Sequence, residues 1–234
     1  RQNFVFTPNT GNIYDVREQV FAGFAMGTVR YDWGSILGGV RVEHLTNRGI
    51  AQATIAGVTG PVTAEASQTL AFPSLHLNYN VDDTKKFRLS FNSGAARADY
   101  DKLRPNVTIN DANQTISGGN PAVKPERAYG VDAYLEWYVR PQGYLMVGAF
   151  YKKVDDVLYT QRRTFGSDVF NEGGIDRSGY AFSGITNGGD GRIFGLEAAA
   201  QLQLEPWTDS LGMPEWMGGF GISANVTVND SQVT

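Results

Sequence analysis

The chain has 234 residues, 24 acidic against 20 basic, for a net charge of −4. That balance leaves no basic patch for nucleic acid, and the absence of cysteine rules out a disulfide framework or a thiolate metal site. No apolar run is long enough for a membrane-spanning helix, but a β-barrel needs only every second residue apolar and so escapes that test.

Taken in chain order, the alternating runs predict strands at 17–31, 36–46, 70–81, 86–97, 127–140, 143–155, 190–205 and 217–230. The clearest is 127–140. Tyr129, Val131, Ala133, Leu135, Trp137 and Val139 share one face, while Asp132, Tyr134, Glu136, Tyr138 and Arg140 share the other. Phe87, Leu89 and Phe91 oppose Lys86, Arg88, Ser90 and Asn92, and Leu75, Leu77 and Tyr79 oppose His76, Asn78 and Asn80. Segments 20–31 and 143–153 carry apolar residues on both faces, as expected of wall lying under a loop or another domain.

The connections alternate in length. Residues 32–35, 82–85 and 141–142 are short turns and 206–216 a medium one. Residues 47–69, 98–126 and 156–189 read as long loops, the last holding a hairpin of its own, 157–165 with 177–186. This parity predicts an all-β, antiparallel transmembrane barrel wall with short turns at the periplasmic rim and long loops at the outer rim. Trp33, Trp207 and Trp216 are expected at the periplasmic boundary and Tyr151 and Tyr159 near the outer one, as aromatic girdles.

No residue set has the makings of a catalytic centre. His44 and His76 lie far apart and read as lumen-facing polar residues; neither belongs to a cluster with metal-ligand spacing. Asp82-Asp83 and Asp155-Asp156 sit at strand ends as turn formers. Gly188-Gly189-Asp190-Gly191 lacks the lysine and the following helix of a phosphate loop. The expectation is therefore no enzyme, no cofactor and no metal. Arg97 and Arg104 are expected to pair with lumen carboxylates such as Asp132 or Glu136, with an anionic ligand as the other reading. Asn120-Pro121 and Lys124-Pro125-Glu126 read as a rigid turn returning the chain from the outer loop to the wall.

Residues 73–156 carry motifs. Ala96, Arg97, Tyr100, Leu103, Arg104 and Pro105 close one strand; Gly119, Asn120, Pro121, Lys124, Pro125 and Glu126 open the next; Phe150, Tyr151, Lys152 and Asp155 or Asp156 end a strand pair. This pattern resembles the barrel of TonB-dependent outer-membrane receptors, especially the proteobacterial type of Caulobacter and Xanthomonas relatives. Ala98 stands where that family usually has proline, and Val123 where it usually has leucine. The resemblance implies a Gram-negative outer-membrane location and a whole protein with an N-terminal plug, a TonB box and about twenty-two strands. Residues 1–234, with about eight to ten strands, are then expected to be an internal part of the barrel that does not close on its own, the plug and the final strand lying elsewhere. The implied activity is binding a scarce nutrient of the carbohydrate, siderophore or cobalamin class and importing it with TonB-derived energy. The implied partners are outer-membrane lipid, the TonB complex acting through the plug, and the small nutrient. A passive porin or adhesin barrel and a soluble secreted carbohydrate-binding β-domain are the alternatives. Ligand contacts are expected from Tyr100, Asn106, Asn110, Asn113, Gln114, Tyr159, Arg162, Arg163, Phe170 and Tyr180, because rings and amides stack on and hydrogen-bond polar organic ligands.

Overall fold

The computed structural model describes residues 13–55 and 57–233. Its strands are β1 (Tyr14–Tyr31), β2 (Gly34–Ile55), β3 (Val58–Asn80), β4 (Lys85–Ala96), β5 (Val107–Asn110), β6 (Thr115–Gly118), β7 (Glu126–Trp137), β8 (Gly143–Asp155), β9 (Leu158–Thr164), β10 (Ala181–Asn187), β11 (Gly191–Gln203) and β12 (Gly221–Val233). Eight of them form one antiparallel sheet in the order β1-β2-β3-β4-β7-β8-β11-β12, and a second sheet runs β5-β6-β10-β9. The eight-stranded sheet does not close: the outer edges of β1 and β12 pair with no other described strand. Such edges are open to further pairing.

Register fixes which way each side chain points, because directly opposed residues share a face. Leu77 pairs with Leu89, Leu89 with Ala133, Leu135 with Val147, Val147 with Ala198 and Ala198 with Val226. One face is therefore continuously apolar and exposed, with Leu135, Val147 and Val226 among its residues. The other carries Asn78, Arg88, Asp132, Tyr134, Glu136 and Glu197. Arg88 donates to Glu136 (2.9 Å) and to Asn78 (2.9 Å), Tyr138 donates to Glu136 (2.8 Å), and Tyr134 donates to Glu197 (3.2 Å). Apolar outside and polar inside is the arrangement of a lipid-embedded wall around a wet lumen.

Two lumen-facing glycines let large rings lie across neighbouring strands. A Cβ on Gly148 would meet the Tyr134 ring at 2.2 Å, and one on Gly195 the Phe150 ring at 2.3 Å. This accounts for the mixed faces of 143–153: Phe150 points inward because it fills the space that Gly195 leaves. In 20–31, Met26 lies opposite Gly39, but among the described residues no glycine stands under Phe24. Phe24 and Met26 face the lumen, Phe21 and Val29 face outward, and all four are exposed.

Residues 47–69 are not a loop. β2 and β3 run 22 and 23 residues and stay paired from Gly34↔Tyr79 to Ile55↔Val58. At ~3.4 Å per residue that is ~75 Å, about twice what about ten residues need to cross the hydrocarbon. Small side chains conceal a real alternation. Ala51, Ala53, Val62, Ala64 and Ala66 take the lumen side, and Thr54 and Thr59 join hydroxyls across the strands at 2.7 Å on the other. The extension also corrects the placement of His44. His76 faces the lumen, but His44 points outward and meets Thr69 Oγ1 at 3.0 Å. It follows the apolar outward residues Ile36, Val40 and Val42 and precedes Thr46 and Arg48, so the strand has already left the lipid band.

Other boundaries shift. β7 ends at Trp137, and β12 starts at Gly221 because residues Glu215–Gly219 form a 3-10 turn. Trp33 stacks on Tyr31 (4.8 Å) at the short β1–β2 turn, and Trp216 meets Phe220 edge-on (5.9 Å). Tyr151 lies on the outward face, whereas Tyr159 belongs to the second sheet rather than to the girdle. In the β3–β4 turn, Asp82 accepts from the Thr84 and Lys85 amides, the Thr84 hydroxyl and the Lys85 ammonium, which hold its carboxyl far below the usual carboxylate range.

Gly34 opens β2 at φ 148°, and a Cβ there would lie 1.9 Å from the Asn78 carbonyl oxygen. Gly34→Val is expected to break the first β2–β3 rungs and cost on the order of 2 kcal/mol. Denaturant titration of the lipid-folded protein checks this, and an unchanged midpoint would contradict the register at the turn.

Candidate ligand-binding face at the outer rim

Above Leu75 and Phe91 the wall divides. β3 pairs with β4 only from Leu75↔Phe91 to Asn80↔Lys86, then continues upward with β2 alone, while β4 stays with β7 to Ala96. A cleft of about 380 Å³ opens there between Arg41, Glu43 and Phe72 on one side and Gly94, Ala95 and Arg97 on the other. Arg97 reaches across it to Glu43 (2.6 Å) and Glu18 (3.6 Å), and Arg41 holds the other oxygen of Glu43 at 2.7 Å. Arg97 is thus an internal ion-pair partner, as expected, but not of Asp132 or Glu136. The division of the wall leans it toward β2, and Arg88 takes Glu136. Arg104 likewise turns upward, donating to Thr108 Oγ1 (2.9 Å) and the Ser117 carbonyl (3.1 Å).

The segment after Arg97 is stitched to the extended hairpin. A Cβ on Gly49 would lie 2.9 Å from Pro105, so the chain passes close against β2; Leu103 is buried in that contact. Asn106, 2% exposed, donates to the Gln52 carbonyl at 3.1 Å. The return segment is stitched as tightly. Gly119 lies against Arg104, where a Cβ would meet the carbonyl oxygen at 2.4 Å. The Asn120 amide donates to the Ile185 carbonyl (3.2 Å), and its oxygen accepts from Ala122 N (3.1 Å) across Pro121. Asn187 accepts from Lys124 N (2.7 Å) and donates to the Lys124 and Asp156 carbonyls, while Glu126, beyond Pro125, accepts from Leu158 N at 2.6 Å. These bonds join the wall to the small sheet that stands over its rim. Tyr151 and Lys152 sit below, on β8, facing opposite ways.

The small sheet has two unlike faces. Ile109, Ile116, Phe182 and Arg163 share one. Ile116 is 1% exposed, Phe165 stacks on Phe170 (5.2 Å) and tilts over Phe182 (5.9 Å), and the Arg163 guanidinium lies 4.9 Å from the Phe182 ring. The other face is polar, and one rung across its four strands reads Thr108, Ser117, Ser183, Arg162. Neighbouring strands lie ~4.8 Å apart, so the rung spans ~14 Å. Among the described residues, exposed Arg162 has no hydrogen-bond or ion-pair partner.

A non-local latch holds the apolar face shut. Arg177, 8% exposed, donates to both oxygens of Asp111 (2.7 and 2.8 Å) and to the Phe170 carbonyl (2.6 Å); the Tyr180 hydroxyl donates to Asp111 at 3.1 Å. The Arg177 guanidinium pulls the Asp111 carboxyl below its usual range, while Arg177 and Tyr180 are pushed up. Residues 177–180, expected in a strand, belong instead to this latch.

The remaining residues expected to touch ligand are distributed as follows. Asn110 accepts from Asn113 N (3.0 Å) in the β5–β6 turn, where Gln114 has φ 52°. Tyr180 and Phe170 are within the latch, and Arg163 also donates to the Phe165 carbonyl (2.9 Å). Tyr100, Tyr159 and Arg162 present exposed side chains. Asp111 and Arg177 escaped the sequence reading, since nothing local links residues 66 positions apart. Among the described residues no group of His, Cys, Asp or Glu side chains could hold a metal ion.

The model of the TonB dependent receptor-like beta-barrel family matches residues 2–234. The chain belongs to this family. It is thereby part of the barrel wall of a Gram-negative outer-membrane protein. The fold is shared with solved structures at low identity. The copper transporter OprC is 16% identical with a TM-score of 0.64, over 93% of this chain and 30% of that one. The ferric yersiniabactin uptake receptor FyuA from Yersinia pestis is 15% identical with a TM-score of 0.60, over 94% and 28%. The hemophore receptor HasR of Serratia marcescens, solved with its hemophore HasA and heme, is 13% identical with a TM-score of 0.52, over 79% and 33%. This chain spans about a third of the length of each. No curated protein matches the sequence.

Proposed function

We propose that the whole protein is an outer-membrane receptor that captures a scarce nutrient at its outer rim and imports it with energy delivered by TonB to a plug domain outside residues 1–234. Membership of the barrel family supports this reading, and so do the structural neighbours, named as a copper transporter, a ferric yersiniabactin uptake receptor and a hemophore receptor. The observation that carries it is the polar rung on the rim sheet. Three hydroxyl residues end in the Arg162 guanidinium, which is unpartnered among the described residues; exposed Tyr159 is on the same strand but points to the opposite face. Hydroxyls and a planar cation suit a polyhydroxylated or anionic organic ligand such as an oligosaccharide or a siderophore. The chemistry is binding and gating; no bond of the nutrient is made or broken.

Uptake by cells expressing the whole receptor, with and without functional TonB, tests the reading. Candidate oligosaccharides, ferric siderophores and cobalamin are the probes. Arg162→Ala is expected to weaken capture of the transported ligand about tenfold, the loss of one charge-assisted contact, with barrel assembly unchanged. Uptake that proceeds equally without TonB would make the protein a passive channel.

A further inference from the structure

β3 stands half in the wall and half above it. Below, it pairs with both β2 and β4; above Leu75 it pairs with β2 alone, up to Val58. Its other edge is open there, and closure of the barrel does not cover it. Strands that complete the wall join at β1 and β12, whereas both lateral neighbours of β3 are already in place. The ladder shows which groups are free. Asn80 N bonds back to the Trp33 carbonyl on the β2 side, and the Pro73 carbonyl accepts the Ser93 hydroxyl from the β4 side. Backbone groups alternate sides along an antiparallel strand, so Thr63, Glu65, Ser67, Thr69 and Ala71 aim their N–H and C=O away from β2. All are exposed, and these groups make no backbone–backbone hydrogen bond among the described residues.

Pro61 and Pro73 bracket this stretch in the same phase, where a missing N–H breaks no bond to β2. From Thr63 to Ala71 the edge runs ~27 Å. It holds no lysine, no proline and no bulge, the devices that keep foreign strands off. A row of alternating donors and acceptors at strand spacing is matched by another polypeptide backbone. A second copy in the same membrane does not fit. Barrel strands tilt ~40°, so a two-fold along the membrane normal crosses two of them at ~80°, too steep for a ladder. The side chains narrow the partner further. Thr63, Glu65, Ser67 and Thr69 face outward, and Ala64, Ala66, Gln68 and Leu70 face the lumen side. An incoming strand therefore alternates polar with small apolar residues. Arg17, Arg48 and Glu65 share one outward rung, and Glu65 has no ion-pair partner among the described residues. The next place on that rung suits a base.

We propose that the free edge of β3 docks an extended segment of a separate protein at the cell surface. That segment adds to the sheet as a strand along Thr63–Ala71, with a basic residue opposite Glu65. The edge stands on the circumference of the wall and not over its lumen, so the docked strand is a partner and not the imported nutrient. The inference goes beyond the import reading and stands whichever nutrient is carried.

The probe is a synthetic, proline-free peptide of alternating threonine and valine with a central lysine, added to the whole protein in detergent. Hydrogen exchange resolved to single amides is the readout. In the free protein the amides of Thr63, Glu65, Ser67 and Thr69 are expected to exchange fast, and those of Ala64, Ala66 and Gln68, bonded to β2, slowly. The peptide is expected to slow the first set, with a dissociation constant on the order of 100 µM. Ser67→Pro, in the same phase as Pro61 and Pro73, keeps the β2 ladder and is expected to weaken binding about tenfold. Glu65→Lys is expected to weaken it too and to be rescued by a peptide with central glutamate. Heat-modifiable gel mobility verifies that each variant is a closed barrel. Slow exchange along the edge in the free protein would mean that another loop of the same chain covers it. That result would overturn the proposal, as would no slowing at about 1 mM peptide. Equal binding of an N-methylated peptide, binding unchanged in both variants, or uptake of the peptide by cells would do the same.

Discussion

Val147→Arg in the whole receptor is expected to cost roughly 2–4 kcal/mol of folding free energy in bilayers, the penalty for an arginine near the midplane of a barrel's lipid face. Val147 is 56% exposed, in the middle of the outward run Leu145, Val147, Ala149 on β8, with Leu135 and Ala198 beside it. The adjacent Met146→Arg is expected to cost less than about 1 kcal/mol, because Met146 faces the lumen opposite Glu136 and a guanidinium there gains a carboxylate. Urea titrations of the two variants in the same lipid make the comparison. Equal costs would mean that the faces are assigned the wrong way round.

The second large effect belongs to the latch. Arg177→Ala is expected to free the 165–180 segment at a local cost of about 2 kcal/mol, since several hydrogen bonds to a nearly buried cation are lost together. Limited proteolysis should then cut within 165–180 while the barrel melts as before. The pH dependence has a definite sign. The folded Asp111 carboxyl titrates below its usual value, so its contribution is fully present above the ordinary carboxylate range near pH 4 and fades as pH falls through the depressed folded value. Arg177 and Tyr180 are pushed up and stay protonated across that window. Protease protection of the segment should therefore hold from neutrality to about pH 5 and drop only in stronger acid. Arg177→Ala should lack that acid step; the same step in the variant would exclude the latch as its origin.

The membrane wall was legible because a strand's two-residue period is local: 86–97 and 127–140 needed nothing but their own sequence, whereas the inward Phe150 of 143–155 depends on Gly195 of the next strand. The lipid face followed from the same alternation. Residues 47–69 misled because alanine, glycine and threonine give little contrast between faces, and their pairing is fixed by the partner strand and not by composition. His44 was misplaced for a related reason: a polar outward residue reads as lumenal unless the height of the lipid band is known. The Arg97 partners depend on the division between β3 and β4, which no local pattern encodes. At the rim, the Asn120–Glu126 turn announced itself through its prolines, whereas the Asp111–Arg177 pair and the parallel meeting of β6 with β10 join segments far apart in the chain and left no periodic trace.

The short β3–β4 seam sets how this wall can deform. Long ladders on either side act as stiff plates, and the plates are fastened by backbone rungs only over their periplasmic half. Above it, the cross-ties are side-chain contacts: the Ser93 hydroxyl on the Pro73 carbonyl, Arg97 on its two glutamates and, higher up, Pro105 against Gly49 and Asn106 on the Gln52 carbonyl. Radial strain at the outer mouth therefore concentrates on one line, and the plate carrying the tall hairpin swings about a low pivot instead of the whole circumference dilating. A ligand or a neighbouring protein pushing on the tip of that hairpin has a lever several tens of ångströms long acting on those side-chain ties.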